Sequence, residues 1–140
     1  MRVIVAKSEL AKFRSRVRYA YPKERIELLI GKMKHPDTFE IFLFDQVKHV
    51  ATRSSCDTDE DDHDISIQEA QENGWVVLGT IHSHPERTEA APSEPDFDSA
   101  IEQCELMSGI VAVWRDKSTG RLKTKVRFWA PLLGVTAEYL

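Results

Sequence analysis

The sequence predicts an α/β fold, a mixed β-sheet sandwich flanked by helices, in a single domain over residues 1–140. Three observations carry that expectation. Short runs rich in β-branched and aromatic residues recur along the chain, FEIFLF at 39–44, WVVLGTI at 75–81 and GIVAVW at 109–114, which is the composition of strands. Segments of helical composition, 8–20, 65–72 and 97–107, are interleaved with them. A chain of 140 residues with 41% hydrophobic residues can also fill one core without staples, because domains cluster at roughly 100–150 residues.

Taken in order, Arg2–Ala6 reads as a short strand, and Ser8 is placed to cap a helix running to about Ala20. Pro22 stops that helix, and Glu24–Gly31 follows as the second strand. Phe39–Phe44 is the third. Residues 45–63 turn polar and acidic without apolar periodicity, and DTDEDDHD at 57–64 reads as a loop. Ile65–Glu72 has helical composition and is closed by Asn73-Gly74. Trp75–Ile81 is the most apolar strand, and Phe97–Met107 reads as a helix with apolar and charged faces. Gly109–Trp114 and Leu122–Trp129 pair as a hairpin across DKSTGR. The apolar tail Ala130–Leu140 is either an interface or a packed terminus.

Charge and cysteine usage narrow the function classes. The formal net charge is −4, so nucleic acid is not an expected partner. Lys12, Arg14, Arg16 and Arg18 recur at every second residue and read as a solvated side. Cys56 and Cys104 form neither a zinc-type pair nor a disulfide framework. No stretch approaches the roughly 18 apolar residues of a membrane span, and MRVIVAKSEL lacks a long apolar leader core. A cytoplasmic location is the expectation.

The chemistry concentrates in GTIHSHPERTEAAPSEPDFD at 79–98. In a strand, side chains at i and i+2 leave the same face, so His82 and His84 project together and Ser83 points away. Two imidazoles at a strand end leave room for a third ligand, and catalytic zinc takes three protein ligands with one position open. The next helix supplies the third from its first turn, where Ser93 and Asp96 are three residues apart. Ser-x-x-Asp is equally a capping signature. The two readings are compatible, since a carboxylate there is favoured by the helix dipole while its oxygen ligates a cation.

His82-Ser83-His84-Pro85, seven residues, then Ser93-Glu94-Pro95-Asp96 resembles the signature of the JAMM/MPN zinc metallopeptidases, also called the JAB domain. The resemblance implies an MPN/JAB, cytidine-deaminase-like α/β sandwich over about residues 2–129. It also implies one Zn2+ per chain held by His82, His84 and Asp96. In such proteins an upstream glutamate in a Pro-x-Glu-x-x-Gly-Leu-Leu-x-Gly context acts on water, and Pro22–Gly31 offers that context here. Two departures stand out. Glu27 replaces the first glycine of that pattern, which leaves two candidate glutamates, and Thr80 and Ile81 stand where an aromatic is frequent. Glu24 holds the Pro+2 position and is the candidate catalytic residue.

The resemblance further implies hydrolysis after the C-terminal Gly-Gly of a ubiquitin-like protein. Glu24 would move the proton, and Ser93 would either stabilise the oxyanion or serve only as a helix cap. Deconjugation from a target protein would bring E1/E2-like enzymes of the same operon as partners. Trimming of a sulfur-carrier protein is the alternative, and a non-catalytic MPN scaffold is a third. The acidic stretch Asp57–Asp64 falls where such proteins insert a segment beside the substrate groove, and it reads as a steering surface or a solvated loop.

Overall fold

The computed structural model describes residues 1–46, 49–51, 56–58, 60–133 and 135–139, except the side chains of 49–51, 56–58, 60 and 135–139. In chain order the elements are β1 (Arg2–Val5), α1 (Lys7–Ala20), β2 (Ile26–His35), β3 (Thr38–Asp45), β4 (His49–Ala51), β5 (Cys56–Thr58) and α2 (Glu60–Glu72). They continue with β6 (Val76–Pro85), α3 (Glu94–Glu102), β7 (Ser108–Arg115), β8 (Leu122–Ala130) and β9 (Val135–Tyr139). The main sheet runs β1-β3-β2-β6-β7-β8-β9 and closes on itself, while β4 and β5 form a separate two-stranded ribbon. β1 pairs parallel with both β3 and β9, and β6 pairs parallel with β7. The remaining neighbours are antiparallel.

Alternation along the strands covers both faces. Leu29, Ile81, Val111 and Val113 turn inward to one core with Leu10, Phe13 and Val17 of α1. Those three helix positions are one apolar stripe at helical spacing, and Phe13 stacks on Phe44 at 5.0 Å. Leu28 and Ile30 face outward to Ala70 of α2. Ile110, Ala112 and Trp129 face outward under Ala90 and Trp114. A sheet buried on both faces reads as continuous apolar runs, as WVVLGTI and GIVAVW do. Gly31 and Gly79 allow close backbone approach, since a Cβ would lie 1.8 Å from the Glu40 carbonyl oxygen and 1.9 Å from that of Met107.

Several boundaries differ from the sequence reading. Ala6, not Ser8, caps α1 and makes no side-chain cap bond. Its N–H donates to Ile41 at 3.2 Å, so the strand-to-helix turn is held by the sheet. β2 begins at Ile26, leaving Glu24 ahead of it, and runs to His35 because Lys32–His35 pair with β3. The acidic segment is not one loop: Cys56–Thr58 is a strand and α2 starts at Glu60, where Asp61 and Asp62 suit the positive end of the helix dipole. β6 continues through the histidines to Pro85, and Glu86 N–H then bonds the Val113 carbonyl at 2.8 Å. α3 starts earlier than expected and stops at Glu102. Cys104 takes a left-handed φ of 54°, and the Leu106 and Met107 amides bond Leu78 of β6 instead. The tail contributes β9.

Candidate metal centre

His82 and His84 stand on the outward face of β6, in register with Ile110 and Ala112 of β7. Asp96 reaches them from α3, whose start is fixed by a reciprocal capping box. Ser93 Oγ accepts from the Asp96 amide at 3.3 Å, and the Ser93 amide donates to Asp96 Oδ2 at 2.6 Å. The carboxylate is thereby aimed before any cation arrives. His82 Nε2 lies 3.0 Å from Asp96 Oδ1, His84 Nε2 lies 3.2 Å from Oδ2, and the two imidazole nitrogens are 3.0 Å apart.

These distances match what a cation would require. Ligands about 2.0–2.1 Å from a tetrahedral zinc are spaced about 3.3–3.4 Å from one another, within a few tenths of an ångström of the spacing present. Two imidazoles and one carboxylate are also the donor set of catalytic zinc. One contact must change on loading. Arg87 Nη1 lies 2.9 Å from His84 Nδ1, and arginine only donates. A neutral His84 that ligates through Nε2 carries its proton on Nδ1, so the exposed Arg87 side chain has to swing aside.

The electrostatics favour an ionised Asp96. Burial alone raises its pKa, but hydrogen bonds from His82 and His84, the His82 charge and the Ser93 amide outweigh burial. The carboxyl is held well below the usual carboxylate range. The opposite holds for Glu105, which follows the left-handed Cys104. Burial pushes its pKa up despite hydrogen bonds from Thr80 and Ser108 and the nearby His82. Ser108 Oγ donates to Oε2 at 3.2 Å, while Oε1 is buried without a hydrogen-bond partner.

Glu24, His82, His84, Arg87, Ser93, Asp96 and Glu105 line one cavity of about 330 Å3. A second, of about 680 Å3, shares Ile26, Thr80, Ser99 and Glu105 with it and extends between α2 and α3. Of the two candidate glutamates, Glu24 reaches the first cavity and Glu27 does not. Glu27 faces the opposite side of the sheet, where it is 0% exposed and paired with Arg16 and Arg25. Arg16 is thus not part of a solvated stripe, because it turns inward to Glu27. Arg87 and Glu105 escaped the sequence reading. Arg87 offered only its place three residues after His84, and Glu105 only a lone carboxylate before a buried strand.

The model of prokaryotic homologs of the JAB domain matches residues 6–130. The chain belongs to that family. Solved structures agree with this JAB fold. A protein from Desulfitobacterium hafniense superposes with a TM-score of 0.67 at 21% identity, covering 99% of this chain and 91% of its own. A protein from Salinibacter ruber gives 0.65 at 24% identity, covering 97% and 86%. A JAB1/MPN domain protein from Archaeoglobus fulgidus gives 0.56 at 20% identity, covering 100% and 97%. None of the curated proteins matches the chain. Among the described residues, no helix of this JAB domain is long and apolar enough to cross a membrane.

Proposed function

We propose that this JAB domain is a zinc-dependent isopeptidase that hydrolyses the bond after the C-terminal Gly-Gly of a ubiquitin-like protein, releasing it from a conjugated target. The observation that carries the reading is the convergence of His82, His84 and Asp96, with ligand atoms all within 4.8 Å of one another. They share one cavity with the buried Glu24. Zinc, when bound, supplies Lewis acidity that brings the pKa of water from about 15.7 to about 7.

The chain's own groups divide the remaining work. Glu24 accepts a proton from the attacking water and delivers it to the leaving amine, a role that contributes about 10²–10⁴-fold. Ser93 donates to the developing oxyanion. Its capping bond uses an oxygen lone pair, which leaves the hydroxyl proton free to be donated, so cap and catalytic roles coexist. Burial of the carboxylates keeps bulk water from screening them. The second cavity, which shares Ile26, Thr80, Ser99 and Glu105 with the first, is the path we assign to an extended tail. Glycine at the scissile end suits it because a residue without Cβ lets the backbone approach closely.

The test uses ubiquitin-like proteins encoded beside this chain, fused through Gly-Gly, Gly-Ala or Ala-Ala to a reporter. Cleavage of the Gly-Gly fusion alone is expected, abolished by zinc chelation and unaffected by iodoacetamide. Equal cleavage of all three ends defeats the narrow-path idea, and activity lost to alkylation but not to chelation defeats the metallopeptidase reading.

A further inference from the structure

Glu24 lies ahead of β2, two residues before the first ladder pair, Ile26 with His82. The β2 ladder therefore does not fix its backbone. The residue that follows it is tied down from several directions. The Arg25 amide donates to Ser83 Oγ at 2.8 Å, and the Arg25 carbonyl accepts from the Ser83 amide at 2.9 Å. Ser83 is the residue between the two histidines, fully buried on the opposite face of β6. The Arg25 side chain donates to Glu27 Oε2 at 2.6 Å and to Gln46 Oε1 at 3.1 Å.

Glu27 does not need Arg25 for compensation. Arg16 already binds it in bidentate fashion, at 2.7 Å and 2.6 Å, the strongest arrangement open to an arginine–carboxylate pair. A second guanidinium on a buried carboxylate adds geometry more than neutralisation. We infer that Arg25, held by Ser83 on one side and Glu27 on the other, is the positioning residue that fixes Glu24 against the histidine-bearing strand. The inference rests on the isopeptidase reading only for the role of Glu24. The backbone anchor itself can be read without turnover. Glu27, where the resembling motif has glycine, is accordingly the foot of this anchor and not a second catalytic carboxylate.

Arg25→Ala is the informative variant, since it leaves the Arg16–Glu27 pair whole and the core intact. In the zinc-loaded protein, kcat on the Gly-Gly fusion should fall between about ten- and a hundredfold, the cost of a misplaced catalytic group. KM and zinc stoichiometry should stay unchanged. Arg25→Lys, which can still reach Glu27, should recover part of the loss. Hydrogen exchange supplies the second arm. The amide at position 25 should exchange more than tenfold faster in Arg25→Ala and in Ser83→Ala, with the Leu78 and Ile81 amides unchanged. Unaltered exchange at position 25 overturns the inference, as does a raised KM at constant kcat, which would make Arg25 a substrate contact. A wild-type protein inactive on every Gly-Gly fusion removes the isopeptidase reading, and the exchange arm then still decides whether the anchor exists.

Discussion

Glu24 and Glu27 are three residues apart and end on opposite sides of one sheet, and the difference sets what each substitution should do. Glu24→Gln is expected to abolish peptidase activity while zinc content by elemental analysis stays at one per chain, because Glu24 lines the cavity without belonging to the His82, His84 and Asp96 cluster. Glu27→Gln should instead lower stability by about 3 kcal/mol, the scale for breaking a buried ion pair, read as a fall in the denaturant midpoint. Glu105 gives a pH-dependent outcome. Its pKa is raised by burial, so the native state holds that proton more tightly than the unfolded chain does. The associated stability is present below the unfolded value of about 4.3 and is lost as pH rises through the folded one. Glu105→Gln should therefore raise Tm by a few degrees at pH 7–8, and the gain should vanish below about pH 4. An equal gain at both pH values would assign the effect to packing. The convergence of His82, His84 and Asp96 was legible from spacing alone, because i, i+2 on a strand and a carboxylate in a first helical turn are local geometry. Glu105 and Arg25 were not, since each acts through neighbours distant in sequence, Thr80 for one and Ser83 for the other.

Among the elements, α3 does two jobs with one pair of side chains. Ser93 caps it, and the reciprocal bond to the Asp96 carboxylate aims that group at the histidines. Ser93→Ala should cost about 1 kcal/mol of stability. It should also weaken zinc binding by about 10–100-fold, as losses of groups that orient a ligand do, measured by competition with a chromophoric chelator. Unchanged zinc affinity would mean that Asp96 is aimed by the backbone alone. Strand identity was readable because both faces are buried and the runs are apolar throughout. Element ends were less so. The start of α2 lay hidden in DEDDHD, where acidic composition reads as loop until the helix dipole is counted in its favour. The end of α3 was decided by the left-handed Cys104 and by amides claimed by Leu78. Neither leaves a trace in periodicity.

The whole molecule depends on its last strand. β9 pairs with β8 on one side and with β1 on the other, so the sheet has no lateral edge. Deleting residues 131–140 would expose two unpaired edges at once, and exposed edges recruit other chains. The truncated protein should melt at lower temperature and scatter light on heating, and a monomeric truncation with the parental Tm would contradict this. The pairing was invisible in the sequence because it joins the first and last segments, and VTAEY carries a weak alternation. Closure has a second consequence, which concerns connectivity. With β1 and β9 side by side and parallel, Arg2 opposite Glu138, residues 1 and 140 can be joined by a crossover linker of about a dozen residues, long enough to turn back along the strands. New ends can be cut in the exposed turn at 117–121, where Asp116 Oδ1 caps the Ser118 and Thr119 amides and Gly120 adopts a φ of 72°. Exposed turns of this kind tolerate such cuts. A circular permutant opened between Ser118 and Thr119 should reproduce the parental circular dichroism and zinc stoichiometry. Failure to fold would show that the β7–β8 hairpin has to form as one continuous piece, whereas success would make the order in which these strands are strung together separable from the barrel they build.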